Sequence, residues 1–128
     1  MNLFVYGTLL RGESNHHVLD GATLLYTGGM LQAKMYDTGK GYPAIELSMG
    51  STIVGDIYEI PDHMWLNLDD LEGYTGNPTT DLYSREFVKV QTLDGLVEAV
   101  VYTVCDESMK LYEIPSGDWT NYRQSKHK

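Results

Sequence analysis

The stretch SREFVKVQTLDGLVEAVVYTV, residues 84–104, carries the clearest structural signal in the chain. Val, Phe and Tyr crowd residues 84–92 and 96–104, as half-buried strands favour. Asp94-Gly95 stands between them and supplies the positive φ angles of a tight primed turn, so the stretch predicts a β-hairpin. Moving outward, residues 52–60 read as a strand interrupted by Gly55, the mark of a bulge or a close backbone approach. Residues 42–46 form a short extended piece, which Pro43 confines to an edge or a strand start. Residues 23–26 and 30–36 read as two strands parted by Gly28-Gly29. Residues 3–6 read as a short buried strand running into a glycine turn at Gly7.

One helix precedes the hairpin. Pro61-Asp62 opens it, since Pro suits a first turn and an acid there complements the macrodipole. Met64, Trp65, Leu68 and Leu71 recur at helical spacing as one inward apolar stripe, and Gly73 stops it. A helical turn over 14–19 carries a weaker signal, and residues 123–128 read as a frayed, solvated tail. Many strands with one helix before the last hairpin predict an α+β domain over residues 1–128. Periodicity alone does not decide whether the strands close into a barrel.

The 128 residues fit one core, and the ten tyrosines suit half-buried strands and the walls of polar pockets. A net charge of −9 argues against nucleic acid and anionic membranes as partners. By itself it otherwise reads as solubility. The single cysteine, Cys105, permits no intrachain disulfide and reads as a small buried hydrophobe in a reducing compartment. No apolar run approaches the ~20 residues that span a bilayer, and the start lacks a basic signal-peptide region. The expectation is a cytoplasmic protein.

Two places can carry chemistry. Val5-Tyr6-Gly7-Thr8-Leu9-Leu10-Arg11-Gly12 ends a strand in a glycine and follows it with backbone amides that have no strand to pair with. Such a turn either forms a nest for a carboxylate or is an ordinary strand-to-loop turn. Glu13-Ser14 stands where a P-loop needs Lys-Ser/Thr, so phosphate binding of that kind is excluded. Further on, Asp69, Asp70 and Glu72 crowd the C-terminal turn of the helix, where the macrodipole disfavours each by roughly 0.3–1 kcal/mol. Glu72 lies four residues after Leu68, beside the apolar stripe. Burial and the helix end both raise a carboxylate's pKa, the tuning a general base needs. The competing reading is a solvated acidic helix end. Tyr83 and Arg85 alternate to one strand face, either as pocket lining or as an edge pair. No zinc or EF-hand pattern occurs, so no metal is expected.

Taken in order, several short pieces resemble the γ-glutamyl cyclotransferase-like family, in its small bacterial, AIG2-like and γ-glutamylamine branch. They are Phe4-Val5-Tyr6-Gly7-Thr8-Leu9 with Arg11-Gly12 and Asn15-His16, Tyr42-Pro43-Ala44, and Val54-Gly55-Asp56-Ile57-Tyr58. Leu68-Asp69-Asp70-Leu71-Glu72-Gly73, Tyr83-Ser84-Arg85 and Ser116-Gly117-Asp118-Trp119 complete the set. The resemblance implies a small mixed β-barrel with one main helix packed beside it. It implies Glu72 as catalytic general acid/base and Tyr6, Gly7, Thr8 and Leu9 as the loop that binds the substrate's amino-acid end. Tyr42, Tyr83 and Arg85 complete the implied substrate site, with Arg85 or Tyr83 a candidate to polarise the carbonyl. The implied reaction needs no cofactor: the α-amine of a γ-glutamyl compound attacks its own γ-carbonyl, releasing 5-oxoproline and an amine or amino acid. Residues 75–81 look long for such a family and could form a lid. The alternative is a non-catalytic member of the fold that binds a small ligand or a protein. Monomer and homodimer both remain open.

Overall fold

In the computed structural model, residues 1–77, 81, 83–104 and 106–126 are described. Strand β1 (Asn2–Val5) is apolar without alternation because both of its faces are covered. Leu3 and Val5 join one buried cluster, Phe4 and the following Tyr6 another. Strand β5 (Gly95–Val104) divides in the same way, with Val100 and Tyr102 in the first cluster and Ala99 and Val101 in the second. The period of two thus separates two core layers.

β1 is the hub of the sheet. It pairs antiparallel with β3 (Pro43–Glu59) and parallel with β5. β5 pairs antiparallel with β4 (Tyr83–Thr92), β4 with β2 (Thr23–Asp37), and β2 along much of β3. The five strands therefore close into a mixed barrel. A short β6 (Tyr112–Glu113) adds to β2 at Tyr36 and Asp37.

Closure requires bends, and here the structure corrects the strand bounds. The separate strands expected over 23–26 and 30–36 are one strand, and those over 42–46 and 52–60 are another. The β2–β3 register shifts between Leu24 and Tyr26, between Tyr26 and Gly29, and between Gln32 and Ala33. Each shift bends the pair without ending it. Gly29 faces Gly55 in the register, and a Cβ on Gly55 would lie 2.2 Å from the Val5 carbonyl oxygen. The close approach expected at Gly55 is real. Pro43 is the first residue of its strand, where its missing N–H costs no ladder bond.

The hairpin tip also differs from expectation. Thr92 pairs with Gly95, so Leu93-Asp94 is the tip. Only Gly95 takes a positive φ, of 96°. The Thr92 hydroxyl accepts from the Asp94 amide at 3.1 Å and donates to the Gly95 carbonyl at 2.8 Å. These bonds stabilise a tip whose central residues, Leu93 and Asp94, both lack the positive φ that a primed turn needs at one or both of them.

The helix opens as a 3₁₀ turn, Asp62–Met64, and continues as α1 (Trp65–Glu72). Pro61 stands at the cap before it. Met64, Trp65 and Leu68 are buried as expected, but Leu71 is 41% exposed. The weak turn over 14–19 is a 3₁₀ turn at His16–Leu19. A second helix, α2 (Trp119–Lys126), occupies part of the segment read as a frayed tail. Asp118 caps it through the Asn121 amide at 3.1 Å, and Trp119 is buried in the second core layer. Cys105 and residues 78–80, which include much of the expected lid loop, lie outside the described residues.

Candidate active site

The site forms where β1 gives way to the loop at residues 6–9 and the C-terminal end of α1 arrives opposite. Gly7 permits the approach. A Cβ there would stand 2.6 Å from Cγ of Pro43, so only glycine lets the loop lie against the start of β3. The Leu10 amide donates to the Gly7 carbonyl at 3.0 Å, which turns the chain. Among the described residues, no backbone hydrogen bond is donated by the amides of Gly7, Thr8 or Leu9. Three consecutive amides are left for a ligand, as an anion nest requires.

A cavity of about 220 Å³ opens beside this loop. Tyr6, Gly7, Thr8, Leu9, Tyr42, Glu72 and Tyr83 all line it. The structure thus gathers every sequence-derived candidate except Arg85 into one place.

Glu72 reaches the cavity because α1 ends there. Gly73 adopts the left-handed conformation (φ 70°, ψ 35°). Its amide donates to the Asp70 carbonyl at 3.3 Å and that of Tyr74 to the Asp69 carbonyl at 2.9 Å, the two bonds of a Schellman cap. The three acids then separate. Asp70 faces solvent. Asp69 is engaged by Arg85 and Tyr102. The Glu72 carboxylate makes no hydrogen bond or ion pair among the described residues. Withdrawal from water pushes its carboxyl up to about 7.

The other walls are fixed by their own bonds. The Tyr6 hydroxyl donates to the Tyr102 carbonyl at 2.7 Å and that of Tyr83 to the Pro43 carbonyl at 2.8 Å. Burial, with the nearby Glu72 charge, holds both phenols well above the usual tyrosine range, so they remain neutral donors. The proton Tyr83 could have offered to a substrate carbonyl is given to Pro43.

Arg85 is placed elsewhere. Its Nε donates to Oδ1 of Asp69 at 2.9 Å, and a second nitrogen donates to Oδ2. Its guanidinium carbon lies 4.8 Å from the ring centre of Trp65 and 5.1 Å from that of Tyr74. It does not line the cavity.

Three site features escaped sequence reasoning. Asn15 lines the cavity and donates to the Thr8 hydroxyl at 3.0 Å, while its own amide donates to the Thr8 carbonyl at 2.8 Å. Tyr102 and Leu71 also line it. Asn15 directly precedes His16 after the loop, and its short polar side chain there is the available signal. Among the described residues, no group of three or more His, Cys, Asp or Glu is placed to hold a metal. None of the helices they form is long and apolar enough to cross a membrane.

A family model described as "Gamma-glutamyl cyclotransferase, AIG2-like" matches residues 3–121. The chain belongs to that family. Similar cyclotransferase relatives include the Niallia circulans gamma-L-glutamyl-butirosin B gamma-glutamyl cyclotransferase, 34% identical over 95% of this chain and 77% of that protein. The zebrafish gamma-glutamylaminecyclotransferase A is 30% identical over 80% of this chain and 68% of that one. Among solved structures, Bacillus subtilis YkqA matches with a TM-score of 0.79 and 28% identity. It covers 99% of this chain, which spans 42% of YkqA. A mouse AIG2-like protein matches with a TM-score of 0.72 and 27% identity, over 92% of this chain and 86% of its own. The mixed barrel with a helix beside it is thus the cyclotransferase-family fold.

Proposed function

We propose that this chain is a γ-glutamyl cyclotransferase that releases 5-oxoproline, with Glu72 as the general base. One observation carries the reading: a carboxylate raised to about 7, unpaired among the described residues, shares a cavity with three amides of the Tyr6–Leu9 loop that none of those residues' backbone carbonyls accepts from. The amides suit a carboxylate, the end of the substrate that must be held still. Glu72 suits the amine, which is mostly ammonium at neutral pH and cannot attack until a proton leaves.

The steps balance without an added reactant. Glu72 takes a proton from the α-ammonium. The freed nitrogen attacks the γ-carbonyl carbon, forming the ring C–N bond. The tetrahedral centre collapses, the bond to the departing nitrogen breaks, and the proton held by Glu72 passes to that nitrogen; the ring nitrogen then gives up its second proton through Glu72 to the departing amine, which leaves as an ammonium. Acid–base help of this kind is worth ~10²–10⁴-fold. Because ring closure is intramolecular, the cavity's other task is to hold the glutamyl chain in a near-attack fold.

The test is a panel of γ-glutamyl amines and γ-glutamyl dipeptides assayed for 5-oxoproline. Turnover by the wild-type chain, reduced by about 10²-fold or more in folded Glu72→Gln, is the expected result. Full activity in Glu72→Gln would remove the base assignment. No turnover across the panel would favour a binding-only member of the family.

A further inference from the structure

We propose that Asp69, Arg85 and Tyr102 form a positioning network that fixes the C-terminal end of α1, and with it Glu72, against the cavity. The inference rests on the reading of Glu72 as the base. Asp69 sits three residues before Glu72, one turn back on the same helix. Its carboxylate takes two bonds from Arg85 on β4 and one, at 2.7 Å, from the Tyr102 hydroxyl on β5. Its carbonyl accepts the Tyr74 amide that closes the helix cap just beyond Glu72. One residue therefore ties the helix end to two barrel strands and to its own cap.

The network also reaches the loop. Tyr102 lines the cavity, and its carbonyl accepts the Tyr6 hydroxyl at 2.7 Å. Trp65 and Tyr74, from either end of α1, face the Arg85 guanidinium as cation–π partners. An arginine is needed here because a lysine cannot donate the planar fork or stack in this way.

Charge gives the network a signature that packing lacks. Glu72 is faced by the neutral phenols of Tyr6, Tyr83 and Tyr102, from the loop after β1, from β4 and from β5. The carboxylates of Asp69 and Asp70 share its helix, and Arg85 compensates the nearer charge. Removing Arg85 leaves an uncompensated anion one turn from Glu72. Removing Asp69 leaves an uncompensated cation.

The experiment measures kcat, KM and the pH dependence of kcat/KM for the full chain, with a γ-glutamyl substrate that the wild type turns over. Thermal melts establish folding. Arg85→Gln should lower kcat by roughly 10- to 100-fold with less change in KM, because misplacement by ~1 Å can cost about 10²-fold. Its acid limb should move up by about one pH unit, and that of Asp69→Asn should move down. The Asp69→Asn/Arg85→Gln double variant should recover the wild-type limb but not the wild-type kcat. Arg85→Lys, which keeps the charge, should keep the limb with a reduced kcat, and covers the case in which a single variant does not fold. Wild-type kcat and limb in the folded variants would overturn the network. Inactivity of Glu72→Gln beside unchanged Arg85 variants would overturn the network alone. Full activity in Glu72→Gln would overturn the base reading and the network together.

Discussion

Glu13 and Glu72 flank the loop that carries the site, and both carboxylates are withdrawn from water. Glu13, with a side chain only 3% exposed, receives two bonds of 2.8 Å from Arg123 on α2. Glu72 receives none from the described residues and lines a cavity instead. A buried carboxylate is costly unless paired. The fold meets that cost at Glu13 with an arginine from 110 residues away. At Glu72 it leaves the cost standing, and the carboxyl responds by holding its proton until about pH 7. The difference separates a group that locks the loop from one that can exchange a proton.

The sharpest way to break the comparison is to turn Glu13 into a second Glu72. Arg123→Ala leaves the Glu13 carboxylate buried and unpaired. The carboxylate then has nothing to offset its withdrawal from water, which destabilises the folded chain. Tm at pH 7 should fall by several degrees, the largest fall among the variants considered, read from a thermal melt. A fall of only a degree or two would show that water replaces the guanidinium.

The converse is to remove the cost at Glu72. Its folded-state carboxyl titrates near 7 against an ordinary value of 4.5, so the fold prefers the protonated form. Below the ordinary value both folded and unfolded chains are protonated and nothing is lost. As pH rises from 4.5 to about 7 the unfolded chain releases its proton first, and stability falls through that window. Glu72→Gln abolishes the loss. Its Tm should match wild type at acidic pH and exceed it at pH 8 by several degrees, about 2 kcal/mol after allowance for partial exposure. Equal melts at both pH values would mean that Glu72 is better solvated than its position implies.

What was legible beforehand follows the range of the signal. The hairpin, α1 and its acidic end, and the glycine of the 6–9 loop are local patterns, and each proved to be where the sequence put it. The long strands were not, because the bends that close a barrel interrupt alternation at Gly28 and Gly29 in β2 and over residues 47–51 in β3. Helix α2 reads as Trp-Thr-Asn-Tyr-Arg-Gln-Ser-Lys, poor in helix formers, and tertiary contacts support it instead. Trp119 stacks on Tyr122 at 5.8 Å, the Tyr122 hydroxyl donates to Asp37, and Arg123 donates to Glu13. At the site, Glu72 could be preferred over its neighbours from the apolar stripe. Its separation from Asp69 depends on Arg85 and Tyr102, which face each other in a register that is set at Gly95. Local spacing holds no record of that pairing, so Arg85 looked like a ligand for substrate when its partner is Asp69.

The smallest effect is expected at Tyr83, and it tests whether the cavity wall is structural in the sense that Glu13 is. Its hydroxyl is buried and committed to the Pro43 carbonyl. Tyr83→Phe keeps the ring, removes one hydrogen bond and leaves that carbonyl unpaired, at a cost of about 1 kcal/mol. Pro43 also packs on Gly7, so the loop can relax slightly and KM should rise more than kcat falls. A loss in kcat of less than about 10-fold is expected if the hydroxyl never reaches the reacting carbonyl. A loss of about 10²–10³-fold, the size seen when an oxyanion donor is removed, would mean that the bond to Pro43 opens during the reaction and the proton turns to the substrate. Wall and chemistry would then meet in one residue, and the contrast between paired and unpaired groups would describe only the resting enzyme.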